Sequence, residues 1–127
     1  MYEITVEADF SAAHALTVAG IKEPLHGHNW HVTVTLVGDE LDDDGLLCDF
    51  HTVEGTLRTI VEVFNNQNIN DHAAFRENNP SAERVAEYIA AELDQRLAPS
   101  LAPHARLAAV RVTEAPRCTA TYRPAGR

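Results

Sequence analysis

Ten basic side chains against nineteen acidic ones give this 127-residue chain a formal charge of −9, which argues against nucleic acid or an anionic membrane surface as partner. The length suits one domain, residues 1–127, around a single core, and a composition 45% hydrophobic and 23% charged is that of a soluble globular protein. The negative balance also opposes a polyphosphorylated substrate, unless basic residues are gathered where it binds.

Tyr2, Ile4, Val6, Ala8 and Phe10 alternate with Glu3, Thr5, Glu7 and Asp9, which predicts a half-buried strand over residues 2–10. Residues 17–25 hold Gly20 and Pro24 and read as a loop. A second alternation sets Trp30, Val32, Val34 and Leu36 against His31, Thr33 and Thr35, with His26 and His28 at its entrance, in phase with the apolar side. The run from Gly38 to Gly45, with Asp42, Asp43 and Asp44, lacks EF-hand spacing and reads as a solvated turn. A short extended piece is expected from Leu46 to Phe50.

From His51 the period becomes helical, with Val53, Leu57, Ile60, Val61 and Phe64 on one stripe and Asp49 or Thr52 as cap. An asparagine-rich patch at 65–70 ends it, and residues 71–80 form a loop. A second helix opens after Pro80, with Ser81 as N-cap, Glu83 in the first turn, and Val85, Ile89, Leu93 and Leu97 facing inward. Pro99 and Pro103 stop it. Two strands, Leu107 to Glu114 and Thr119 to Arg123, close the chain. The order strand, strand, helix, helix, strand, strand predicts an α+β fold, a four-stranded antiparallel sheet with two helices on one face. So small a sheet leaves open edges, which neighbouring subunits can pair.

Cys48 and Cys118 lack Cys-x-x-Cys spacing and lie in apolar, strand-like stretches, where small buried thiols are expected. The acidic start carries no leader pattern and no segment has the apolar length of a membrane span, so a cytoplasmic protein with no membrane partner is expected.

The chemistry concentrates in Leu25-His26-Gly27-His28. In a strand, His26 and His28 project from one face, roughly 6–7 Å apart along the backbone. Two such imidazoles can share a tetrahedral ion with a third ligand from another strand, and His14 is available for that role. Three neutral nitrogens leave one position open for water or substrate. The spacing alone fits equally well a polar loop end with no metal.

Phe10-Ser11-Ala12-Ala13-His14, Leu25-His26-Gly27-His28, Gly45-Leu46-Leu47-Cys48-Asp49-Phe50, Asn79-Pro80-Ser81-Ala82-Glu83 and Thr113-Glu114 together resemble the 6-pyruvoyltetrahydropterin synthases and the related 6-carboxytetrahydropterin synthases. The resemblance covers essentially the whole chain, in order. It implies the tunnelling fold, with trimers closing a barrel and stacking as a homohexamer, a dimer of trimers. It also implies zinc held by His14, His26 and His28, and a pterin-like small molecule anchored at Thr113-Glu114. A fixed Glu114 carboxylate can accept two parallel N–H bonds from a 2-amino-4-oxo ring.

The departures fall on the proton-moving groups. The family's cysteine, four residues before the first histidine of His-Gly-His, is Lys22 here. Its Asp-His pair after the first helix is Asn65-Asn66, and asparagine carries no proton near neutral pH. His72 lies six residues beyond Asn66, a weak substitute. Pterin binding without the usual triphosphate-eliminating activity is therefore expected. The alternative is a zinc-dependent enzyme using Glu23 as acid or base, as in a branch of the family that acts on dihydroneopterin-type side chains to give 6-hydroxymethyldihydropterin. Glu23 otherwise reads as a solvated loop charge beside Lys22.

Overall fold

The computed structural model describes residues 1–125. Two long strands, β1 (Tyr2–His14) and β4 (His26–Gly38), are joined through a small hairpin of β2 (Thr17–Val18) and β3 (Ile21–Lys22). Helix α1 (Phe50–Glu62), the two-residue β5 (Gln67–Asn68), helix α2 (Ala82–Leu97), β6 (Arg106–Ala115) and β7 (Cys118–Tyr122) follow. The main sheet runs β5-β1-β4-β6-β7. Its four long strands are antiparallel, as expected; β5 adds a short parallel pairing at Ala12↔Gln67 and Ala13↔Asn68.

The period-two pattern decides which face is buried. Val6, Ala8, Phe10 and Ala12 of β1, Trp30, Val32, Val34 and Leu36 of β4, and Val110 and Val112 of β6 all turn to one side. There they meet Val53, Leu57 and Ile60 of α1 and Val85, Ile89 and Leu93 of α2. Each such aliphatic side chain withdrawn from water contributes about 1.5–3 kcal/mol. Both helices therefore cover one face, and the opposite face keeps Glu3, Thr5, Glu7 and Asp9 exposed.

Local chemistry sets the helix starts. Asp49 caps α1 by accepting from His51 N at 2.7 Å, and Ser81 caps α2 by accepting from Arg84 N at 3.2 Å.

Several local expectations are corrected. The first strand does not stop at Phe10 but runs to His14, because Trp30 and His26 continue the ladder opposite Phe10 and His14. The loop at 17–25 contains the β2–β3 hairpin. Leu46–Phe50 forms no strand: the Asp42 carboxylate takes the Asp44 and Leu46 amides and coils the segment into a turn. Cys48 is buried as expected, but Cys118 is exposed, since it opens an edge strand just after the hairpin turn. No helix among the described residues is long and apolar enough to cross a membrane.

Candidate metal and ligand site

The ladder of β1 against β4 ends at Ala12↔His28, Ala13↔Gly27 and His14↔His26. His14, His26 and His28 all lie in phase with the core-facing residues, so their rings meet where the apolar layer runs out. Ring centroids are 4.7 Å apart for His14 and His26, 5.2 Å for His14 and His28, and 4.8 Å for His26 and His28. One ring nitrogen from each lies within 4.8 Å of the other two. Trp30 packs edge-on against His14 at 4.9 Å and forms the floor.

Hydrogen bonds fix the tautomers. His14 Nδ1 donates to the Pro80 carbonyl at 2.8 Å, and His26 Nδ1 to the Pro24 carbonyl at 2.9 Å. Each arrangement leaves Nε2 as a lone pair aimed at the cluster. His14 is the one buried polar side chain among the described residues. Glu114 Oε1 stands 3.0 Å from its Nε2, out of line for a hydrogen bond. That nitrogen and His28 Nε2 are the two buried polar side-chain atoms left without a hydrogen-bond partner among the described residues. Burial lowers the pKa of His28, aided by neighbouring His14 and His26 and opposed by Glu114 and Glu23, which keeps its ring neutral near pH 7. Orphaned buried nitrogens are costly unless something binds them, and three neutral imidazoles are the donor set that zinc takes. The residues fit the metal.

Around this centre the other sequence-selected residues take different places. Glu23 lies at its rim, with Oε1 accepting from Leu16 N at 3.0 Å and standing 3.8 Å from His26 Nε2. Glu114 reaches the centre from β6 and lines a cleft of about 440 Å³ with Glu83, Cys118 and Thr119. Thr113 turns to the opposite, polar face, where its hydroxyl meets that of Thr119 at 3.0 Å. Asn65 and Asn66 are structural: Asn65 Oδ1 accepts from Ser11 N at 3.0 Å, and Asn66, in the left-handed region at φ 60°, donates its N–H to Ser11 O at 2.6 Å. Asn66 also lines a cleft of about 570 Å³ with His28, Asn29 and Ser11.

His72 is removed from the site. Its Nδ1 accepts from Ala74 N, and its ring packs among Phe64, Phe75 and Tyr88. Lys22 is exposed on β3.

Several supports were invisible in the sequence. The carbonyls of Pro80 and Pro24 carry no side-chain signature. Asn70 grips both the N–H and the carbonyl of Ala15, and Asn79 does the same for Thr17. An asparagine-rich stretch signals turns, but not which backbone it will hold.

Comparison with known proteins places this geometry. The 6-carboxy-5,6,7,8-tetrahydropterin synthase of Bacillus subtilis is 30% identical over 129 aligned positions, covering 97% of this chain and 86% of that protein. The 6-pyruvoyl tetrahydropterin synthase structure from Caenorhabditis elegans superposes with a TM-score of 0.78 at 23% identity, over 98% of each chain. A Plasmodium vivax 6-pyruvoyltetrahydropterin synthase, carrying alanine in place of a glutamate described as catalytic, superposes at 0.76 with 21% identity, over 95% of this chain and 96% of that one. The model of the family described as 6-pyruvoyl tetrahydropterin synthase matches residues 3–125. The sheet, its two covering helices and the strands that carry the histidines are thus those of the tunnelling fold, and the chain belongs to the 6-pyruvoyl tetrahydropterin synthase family.

Proposed function

We propose that the protein binds a pterin-like ring at Glu114, beside zinc held by His14, His26 and His28, and does not carry out the family's triphosphate-eliminating reaction. The observation that carries this reading is the Glu114 carboxylate at 3.0 Å from His14 Nε2. It puts a ring anchor and a metal-binding nitrogen side by side, so a ring held by Glu114 has its side chain at the ion. Zinc, when bound, supplies Lewis-acid polarisation of side-chain oxygens. The protein's own residues hold and orient: Glu114 takes the ring N–H groups, and Trp30 closes the floor, whereas Thr113 is turned to the opposite face.

What is missing is a proton carrier. Lys22, Asn65 and Asn66 stand where the family has its cysteine, aspartate and histidine; Asn65 spends its side-chain oxygen on the Ser11 N–H, and neither asparagine side chain can carry a proton near neutral pH. General acid–base assistance of this kind is worth about 10²–10⁴-fold in rate.

A second reading is favoured by one distance. Glu23 stands 3.8 Å from His26 Nε2, and its other oxygen has no protein partner among the described residues. That carboxylate is the group placed to move a proton on a dihydroneopterin-type side chain and give 6-hydroxymethyldihydropterin.

Both readings are tested in one preparation of zinc-loaded protein, by titrating dihydroneopterin and by following products from dihydroneopterin triphosphate. Binding with no triphosphate release supports the first reading. Release of 6-hydroxymethyldihydropterin, lost in Glu23→Gln, supports the second. Triphosphate elimination at ordinary enzymatic rates overturns the assignment of Lys22, Asn65 and Asn66, and absence of binding overturns both readings.

A further inference from the structure

Past His14 the chain leaves the main ladder, whose last step is His14↔His26, so the peptide groups of Ala15 and Thr17 need other partners. Two asparagines supply them. Asn70 accepts from Ala15 N at 2.8 Å and donates to Ala15 O at 2.9 Å. Asn79 accepts from Thr17 N and donates to Thr17 O, both at 2.8 Å. Each carboxamide thus pairs with both backbone groups of one residue, as a neighbouring strand does. The loop between Asn70 and Asn79 is fastened at both ends to the exit of β1.

That fastening fixes the Pro80 carbonyl, which follows Asn79 directly and accepts from His14 Nδ1 at 2.8 Å. On the other side of the ring, Glu114 Oε1 stands 3.0 Å from Nε2. His14 therefore lies between two acceptors, and a neutral imidazole has one N–H to give. With the proton on Nδ1, Nε2 keeps the lone pair that a metal takes. With the proton on Nε2, that lone pair is lost and Glu114 is tied to the ring. A carboxylate is the stronger acceptor of the two, so Pro80 keeps the proton only while its carbonyl is held close and in line. His26 has no such dependence, because its acceptor, the Pro24 carbonyl at 2.9 Å, belongs to its own segment.

We infer that Asn70 and Asn79 are positioning residues for the histidine centre: by gripping Ala15 and Thr17 they hold the Pro80 carbonyl on His14 Nδ1 and so select the tautomer whose Nε2 can take an ion. They act through His14 alone of the three histidines. The same selection keeps the Glu114 carboxylate free of the ring. The inference rests on the zinc reading for its effect on affinity, and on the hydrogen bonds alone for the tautomer.

The test reads two quantities in the full chain: zinc affinity, by competition with a chelator, and the His14 tautomer of the metal-free protein, by nitrogen NMR of the imidazoles. Asn79→Ala should weaken zinc binding about 10–100-fold, the usual cost of losing the support behind a metal-binding histidine. It should also move the His14 proton from Nδ1 toward Nε2 and leave His26 as in the parent. Asn79→Asp, which keeps the acceptor for Thr17 N and loses the donor to Thr17 O, should fall between the two. Asn70→Ala should act in the same direction as Asn79→Ala. Asp49→Ala, which removes the α1 cap and so lowers stability without touching the loop, should change neither quantity. An unchanged His14 tautomer in both alanine variants overturns the inference whatever happens to zinc. So does a zinc affinity that stays at the parent's value, or an equal loss in Asp49→Ala. Should the parent take no zinc, the metal reading fails by itself, and the tautomer still decides the role of the two asparagines.

Discussion

Replacing His28 by alanine should move the stability of the metal-free and zinc-loaded protein in opposite senses. In the folded chain His28 Nε2 is buried without a hydrogen-bond partner, a situation that costs about 1–3 kcal/mol. Deleting the ring removes that cost along with its edge contacts to His14 and Trp30 at 5.2 and 5.8 Å. Metal-free His28→Ala should accordingly unfold at or slightly above the metal-free parent. With zinc the order reverses. Free metal at about 100 times its dissociation constant stabilises the native state by about 2.7 kcal/mol. An unfolding entropy of about 2.1 cal/mol/K per residue gives about 0.27 kcal/mol/K for 127 residues, so the parent's Tm should rise by about 10 °C. Loss of one of three ligands should abolish most of that rise. Scanning calorimetry of both proteins, with chelator and with a fixed excess of zinc, reads all four values. A parent indifferent to zinc, or a variant with the same rise, would refute the metal assignment.

Three further outcomes follow from the same geometry. Glu114→Gln should weaken dihydroneopterin binding about 10–100-fold by titration while leaving the unfolding temperature close to the parent's, and unchanged affinity would remove the anchor. His31 Nδ1 lies 2.6 Å from Asp9 and Nε2 2.7 Å from Glu7, and these two bonds raise its pKa above the usual 6.5. The stabilisation from this raised value is full below pH 6.5 and fades as pH rises through the folded pKa, so the stability gap between parent and His31→Gln should narrow over that window; a pH-independent gap would contradict it. Sedimentation at micromolar concentration should show a hexamer, because the outer edges of β1 and β7 have no partner along most of their length within the described residues; a stable monomer would exclude barrel closure.

The strands and helices were legible because their side chains repeat at the period of the structure they form; Ser81 announced its cap by residue type and position, while Asp49 was one of two candidates, with Thr52, until the fold chose it. The histidine centre was legible for the same reason: His26 and His28 stand in phase with Trp30, and the motifs around them resembled one family. What escaped depended on partners distant in sequence. Ser11–His14 carries no alternation of its own and becomes strand because β4 continues beside it. The β2–β3 hairpin is held by Asn79 on Thr17, and by Glu23, which bonds to Leu16 through both its carboxylate and its backbone N–H. Lys22 and Arg76, fifty-four positions apart, line one cleft beside the β2–β3 hairpin, a proximity no local pattern encodes.

The thirteen-step ladder from Tyr2↔Gly38 to His14↔His26 makes the hydrophobic core a ruler for the histidine centre. A slip of one residue along β4 would turn Glu3, Glu7 and Asp9 toward the helices, and would carry His14 away from the other two rings. The mispaired form is therefore rejected by the cost of burying acids long before any ion could test it. Precision at the imidazoles is inherited from valines and alanines at the far end of the same strands. The three histidines are thus correctly spaced in the folded chain before anything binds them.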